Sequence, residues 1–232
     1  MFWSTDDLSS IDPLIEGVLV TLFRLDASVR TDGSFSRQVA DTVQAAWQAE
    51  RPDASVIRRD LGAQPLPARA WMSLVGGAST PAERDDARAL AASLADELLE
   101  ADSYLFAVPL YNYGVPQHVK TWLDLLIADP RLGPGGEQPL TGRPAVLVVV
   151  RGGGYGPGTP REGWDHATPY LKRIFADVFG LDLEVVAAEL TLAPVVPAME
   201  ELRGLAEQSL REAHEAARAH GQAIATRAAA SV

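Results

Sequence analysis

The chain has 232 residues, with 31 acidic and 20 basic side chains, a net charge of −11 and no cysteine. Clustered Lys and Arg of the kind a nucleic-acid groove needs are not the theme of such a chain, and disulfides, thiolate metal sites, iron–sulfur clusters and a cysteine nucleophile are excluded outright. A hydrophobic share of 47% with 22% charged residues is ordinary for a folded chain with a large core, and the length suits one α/β domain better than two small ones.

The start carries Asp6, Asp7, Asp12 and Glu16, unlike the basic opening of a secretory signal. No apolar run approaches the roughly 18 residues that span a bilayer. A cytoplasmic protein without membrane attachment is the expectation. Residues 1–17 read as an extension, a disordered tail or a stretch ahead of a later start codon, and 18–232 as a single domain.

From there apolar strands alternate with amphipathic helices. Val18–Leu25 reads as the first strand. Ser34–Gln48 follows as a helix with Val39, Val43, Ala46 and Trp47 on one face. Ala54–Arg59 is a short second strand, then comes a Pro-rich loop over Leu61–Ala70. Thr80, Pro81 and Glu83 spell an N-cap, a first-position proline and a capping box, opening a helix to about Glu100. Ser103–Val108 has no alternation and reads as a strand buried on both faces.

Pro116–Ile127 is a helix with Val119, Trp122, Leu123 and Leu126 inward, Leu132–Arg143 a loop, and Ala145–Val150 a central strand. Thr168 is expected to cap a helix from Pro169 to Gly180. Leu183–Leu190 reads as the fifth strand. A last helix from Pro197 onward carries Met199, Leu202, Leu205 and Leu210 on one stripe. Right-handed βαβ units then build a doubly wound parallel sheet of flavodoxin-like order 2-1-3-4-5, with helices on both faces. Ligands of such sheets bind at the carboxyl ends of the strands, which singles out the loops after strands 1, 3 and 4.

The first of these, Asp26–Ser36, holds Ser28, Ser34 and Ser36 ahead of a helix. Hydroxyls and first-turn N–H groups suit a phosphate, although serines there also serve as plain caps. Neither G-x-x-x-x-G-K-[ST] nor G-x-G-x-x-G occurs, so neither a P-loop nor a dinucleotide fingerprint is present. The second loop, Pro109–Pro116, carries Tyr111, Asn112 and Tyr113, rings and an amide able to flank a planar heterocycle or simply to close the core. The third, Arg151-Gly-Gly-Gly-Tyr-Gly156, offers bare amides or a flexible turn and has no nucleophilic serine. His118, His166, His214 and His220 show no ligand spacing, so no metal site is expected. Together the loops suit a phosphorylated flat ring such as FMN, which would carry the redox chemistry.

The segments Leu25–Ser28, Gly33–Ser36, Asp60–Pro67, Pro109–Leu125, Thr141–Tyr155 and Thr168–Gly180 stand together in an order and spacing that resembles the FMN-dependent NADH-azoreductases, within the flavodoxin-like NAD(P)H:quinone oxidoreductases. The P-x-Y-N-[FY] and R-G-G loops are its specific motifs. The resemblance implies that Ser28 and Ser34, Phe35 and Ser36 hold the FMN phosphate. It places Leu110, Tyr111, Asn112 and Tyr113 along the isoalloxazine, and Val150, Arg151, Gly152 and Gly153 across from them. Tyr155 and Tyr113 would position nicotinamide or acceptor. It further implies NADH or NADPH as donor, a quinone or azo acceptor reduced by a ping-pong mechanism, and a homodimer. The rivals on the same residues are a flavin or metal-ion reductase, an electron carrier with no substrate of its own, and a regulatory module without flavin. The chain departs from the family in its extension, in a shorter 128–140 segment, and in Val150 where a hydroxyl is usual, so a more open substrate pocket is expected. Arg151, Arg30 or Arg37 is expected to offset the acidic charge locally.

Overall fold

The computed structural model describes residues 20–228. The expectations for residues 1–17, and the opening of the first strand at Val18 and Leu19, lie outside them. Five parallel strands, β1 (Thr21–Asp26), β2 (Ser55–Asp60), β3 (Ser103–Pro109), β4 (Pro144–Val150) and β5 (Asp182–Ala188), form one sheet in the order β2-β1-β3-β4-β5. This is the flavodoxin-like arrangement. Its register pairs Leu25 with Arg59 and Phe106, and Phe106 in turn with Leu147.

β3 and β4 are buried at every residue, as their unbroken apolar runs require of central strands covered on both faces. Side-chain alternation divides the core. On one face Phe23, Tyr104, Phe106, Trp122 and Phe175 pack together. There the Phe106 and Phe175 rings stack at 4.0 Å between centroids, and α3 (Pro81–Leu99) and α4 (Gln117–Ala128) cover them. On the other, Leu22, Leu105, Val146 and Val148 meet Val39, Val43 and Trp47 of α1 (Phe35–Glu50) and the alanines of α6 (Arg203–Ala228). Thr80 and Glu83 form the expected capping box at the head of α3.

Several local readings are corrected. The helix before β5 starts at Thr168 with Ala167 at its N-cap position, and the side chain that serves its first N–H groups is not Thr168 but Asp165, whose Oδ1 accepts from Ala167 and Thr168 at 3.0 and 2.9 Å. This helix, α5 (Thr168–Lys172), runs into a π-helical turn over Arg173–Val178, where Phe179 N–H donates to the Ile174 carbonyl. A short α2 (Ala70–Leu74) closes what reads as an irregular loop. β5 ends at Ala188, because Leu190 takes φ +60. Pro197–Leu202 is a 3-10 turn and the final α-helix starts only at Arg203. Its inward stripe is Ala206, Ala213, Ala217, Gly221, Ile224 and Ala225, while Leu205 is 55% exposed. Small residues win that face because α1 lies very close: a Cβ on Gly221 would come within 2.5 Å of the Val43 carbonyl oxygen. Among the described residues no helix is long and apolar enough to cross a membrane, and no cluster of acidic, His or Cys side chains is arranged to hold a metal ion.

Candidate active site

The loops after β1, β3 and β4 meet at the carboxyl edge of the sheet, beside the switch between β1 and β3, where parallel α/β sheets bind ligands. They enclose a cavity of about 250 Å³. One end is polar. Ser28, Ser34 and Ser36 line it and are buried. Ser34 caps α1, its Oγ accepting from Arg37 N–H at 3.5 Å, and lies 3.2 Å from Ser36 Oγ. The N–H groups of Phe35 and Ser36, in the first turn, find no acceptor among the described residues, as first-turn donors generally do not. Such an end suits an anion.

Arg37 fastens this loop from below. Its guanidinium donates twice to Asp60, at 2.7 and 2.8 Å, and to the carbonyls of Ser28 and Arg30 at 2.9 and 3.0 Å. The bond to Arg37 holds the Asp60 carboxyl below the usual carboxylate range, against the opposing effect of burial. Arg37 is therefore committed to the loop and is not a spare cation. Asp26, fully buried, accepts from Arg24 at 3.0 Å and pairs with Arg58 at 2.6 Å. Gly62 lies against this loop so closely that a Cβ there would stand 2.0 Å from the Ser28 carbonyl oxygen. Arg30 lines the cavity, is exposed and makes no side-chain ion pair with a described residue.

The middle of the cavity is apolar, with Phe35, Pro109, Leu110, Tyr111 and Val150 along it. The Tyr111 hydroxyl accepts from Val29 N–H at 3.2 Å and so joins the first loop to the second. Beyond it the chain reverses in two residues. Tyr111 and Gly114 exchange backbone hydrogen bonds at 3.2 and 3.0 Å, and Asn112 and Tyr113 between them take φ +49 and +68. Two consecutive positive φ values are the pattern of a type I′ turn. Asparagine tolerates it and tyrosine does so at a cost. Asn112 and Tyr113 thus project at the rim, outside the residues that line the cavity.

At the third loop Gly152 lines the cavity, and Gly153 is buried behind it. Their carbonyls accept from Leu192 and Leu190, but their own N–H groups have no acceptor among the described residues. The Arg151 side chain points away from the cavity. It pairs with Glu189 at 2.7 Å and Asp165 at 2.8 Å, and donates to Thr168 Oγ1 at 3.0 Å. Burial pushes the Asp165 carboxyl up, but hydrogen bonds from Thr168 and the charge of Arg151 outweigh it and hold the group below its usual range. The expectation that Arg151 meets the ligand's charge is corrected: two carboxylates already neutralise it. What Arg151 does is tie the Gly-rich loop to the end of β5 and the start of α5.

Tyr155 stands at the rim with its ring centroid 6.4 Å from Tyr113, and Trp164 lies 5.5 Å from Tyr113 on an edge-on contact. His166 N–H donates to the Tyr113 carbonyl at 3.0 Å. Burial raises the Tyr155 hydroxyl's pKa, partly offset by Arg161. Sequence reasoning missed Trp164, and missed Thr191 and Leu192, which bring the loop after β5 to the cavity wall. A bulky exposed tryptophan in a Gly/Pro-rich stretch was the available signal. The set as a whole fits a ligand with an anionic end, a flat apolar body and an edge that accepts hydrogen bonds.

The flavodoxin-like family model matches residues 21–219. A Streptomyces avermitilis protein named FMN-dependent NADH:quinone oxidoreductase is 41% identical over 217 residues, covering 91% of this chain and all of the relative. A protein of the same name from Frankia casuarinae is 39% identical over 85% of this chain and 96% of its own length. Among solved structures, an azoreductase from Bacillus anthracis superposes with a TM-score of 0.70 at 21% identity, over 88% of this chain and 99% of its own. At that identity the likeness concerns the fold. With a family match over most of its length and relatives near 40% identity, the chain belongs to the flavodoxin-like family, in the group of the FMN-dependent NADH:quinone oxidoreductases.

Proposed function

We propose that this chain is an FMN-dependent oxidoreductase that passes two electrons from NADH or NADPH to quinones, with azo compounds as further acceptors, by a ping-pong mechanism. The observation that carries the reading is the convergence of a hydroxyl-and-amide cradle, an apolar wall and the unpaired Gly152 amide around one cavity. When bound, FMN supplies the hydride and electron chemistry.

The protein's part is binding, orientation and charge. Ser28, Ser34 and Ser36, with the first-turn amides of α1, hold the phosphate. Leu110, Tyr111 and Val150 hold the ring plane. The Gly152 and Gly153 amides favour negative charge on the edge they face, and being fixed in advance they need no reorganisation when it appears. Asn112, at the tip of its turn on the rim, is assigned to the ring edge. Tyr113 and Tyr155 position nicotinamide and acceptor in turn at one rim, and alternating use of a shared rim is what makes the kinetics ping-pong. The half-exposed Tyr113 and Trp164 would be covered by a second subunit in a homodimer, which size-exclusion chromatography with light scattering reads directly.

The decisive experiment is a visible spectrum of the purified protein, with mass analysis of whatever heat releases. Flavin bands and the mass of FMN support the reading. A colourless protein that takes up no added FMN ends it. Initial rates against NADH at several quinone concentrations then give parallel double-reciprocal lines if donor and acceptor alternate, and intersecting lines if they do not.

A further inference from the structure

The segment between Tyr155 and α5 contains no family motif, yet it places a guanidinium against the Gly-rich loop, one residue from Gly152 of the cavity wall. A Cβ on Gly153 would lie 2.6 Å from Arg161 Nη1 and 3.6 Å from the Tyr155 ring. Arg161 thus lies across the Gly-rich loop, over a residue that only glycine's lack of a side chain leaves open, and next to the aromatic rim of Tyr155, Tyr113 and Trp164.

The acids around it are already engaged. Glu162 accepts from Gly158 N–H at 2.8 Å, and Asp165 and Glu189 hold Arg151. Arg161 makes no salt bridge with a described residue and is exposed. In a chain of charge −11, this is a local reversal of sign beside a patch of flat rings. Charge and aromatic surface together define the ligand: rings stack on rings, and a planar guanidinium pairs with sulfonate or carboxylate oxygens through two parallel hydrogen bonds.

We propose that Arg161 is a specificity-determining residue that selects aromatic acceptors bearing a sulfonate or carboxylate substituent. The proposal rests on the functional reading above and names the substrate class of that site. Net charge alone favours the opposite choice, since an acidic protein repels anions in general. Selection for anions therefore depends on Arg161 acting at short range.

The test compares wild type, Arg161→Gln and Arg161→Lys with two acceptors that share a ring system, 1,2-naphthoquinone-4-sulfonate and uncharged 1,2-naphthoquinone. The quantity read is the ratio of their kcat/KM values. Arg161→Gln is expected to lower the sulfonate-to-neutral ratio about 5- to 10-fold, while Arg161→Lys, which keeps the charge but not the two-pronged geometry, falls between Arg161→Gln and wild type. In wild type the ratio should fall as salt rises, and in Arg161→Gln it should be flat.

Calorimetry with redox-inert naphthalene-2-sulfonate and its neutral sulfonamide, on protein supplemented with FMN, gives a second reading without turnover. The Kd of the sulfonate should rise by the same factor relative to that of the sulfonamide. A ratio in Arg161→Gln within about 2-fold of wild type in either measurement overturns the assignment. Turnover of neither quinone by wild type overturns the functional reading instead, and the calorimetry still decides whether Arg161 reads anionic charge.

Discussion

Replacing Arg37 by methionine removes the clamp under the first loop while keeping side-chain bulk. The side chain is 10% exposed, and it gives up two bonds to Asp60 and two to loop carbonyls. Stripping one partner from a buried ion pair costs about 3–5 kcal/mol. Here the lower end applies. Asp60 is a quarter exposed and keeps the N–H groups of Gly62 and Ala63, and Asp26 keeps Arg24 and Arg58. A loss of about 3 kcal/mol in a domain of this size lowers Tm by about 6–12 °C.

The loop that carries Ser28 loses its fixed path in the same variant. FMN affinity is therefore expected to drop by at least about 10-fold, measured by quenching of flavin fluorescence. The pH dependence carries its own signature. A carboxyl whose pKa is lowered on folding stabilises the protein above its unfolded pKa, near 4, and that contribution disappears as pH falls through the lower folded value. The Tm gap between wild type and Arg37→Met should accordingly narrow in acid below about pH 4. A Tm within about 2 °C of wild type, with unchanged FMN affinity, would refute the clamp.

Other outcomes follow from the same loops. Gly62→Ala forces a methyl against the Ser28 carbonyl and should cost about 1–3 kcal/mol by overpacking, read as a shifted urea midpoint; an unchanged midpoint would show that the loop yields freely. Ser36→Ala removes a hydroxyl whose one protein neighbour is Ser34, and is expected to weaken FMN about 2- to 13-fold, the worth of one hydrogen bond, with Tm little changed. Ser34→Ala should lose about 1 kcal/mol of stability as well, because Ser34 is the cap of α1; equal Tm values for the two variants would contradict this. Asn112→Gly keeps the positive-φ turn and deletes only the amide, so a 2- to 13-fold weaker FMN complex at unchanged stability is the expected result, and wild-type affinity would remove Asn112 from the site.

Much of the frame was legible because burial and period speak through side-chain type. β3 and β4 announce themselves as unbroken apolar runs, and Thr80, Pro81 and Glu83 spell out their helix start. What was hidden depends on three-dimensional partners. The π-turn at Arg173–Val178 is a shift in backbone pairing that leaves the spacing of Leu171, Ile174 and Phe175 helical. The stripe of α6 is only partly the expected one: Leu210 packs against the core but Leu205 faces outward, and the closeness of α1 gives most of that face to alanine and glycine. The serines, Tyr111 and Gly152 were found from loop chemistry. The direction of Arg151 was not, since its partners Asp165 and Glu189 lie 14 and 38 positions away.

The site is built from two kinds of material. Its floor belongs to strand ends and the head of α1, welded to the core by buried charge. Its lip, by contrast, is Tyr113, Trp164 and Arg161, joined across loops by ring edges and the His166-to-Tyr113 bond. Mutations can accumulate along the lip without threatening the floor. Descendants of such a chain can therefore change what the lip admits while the cavity below it is inherited intact.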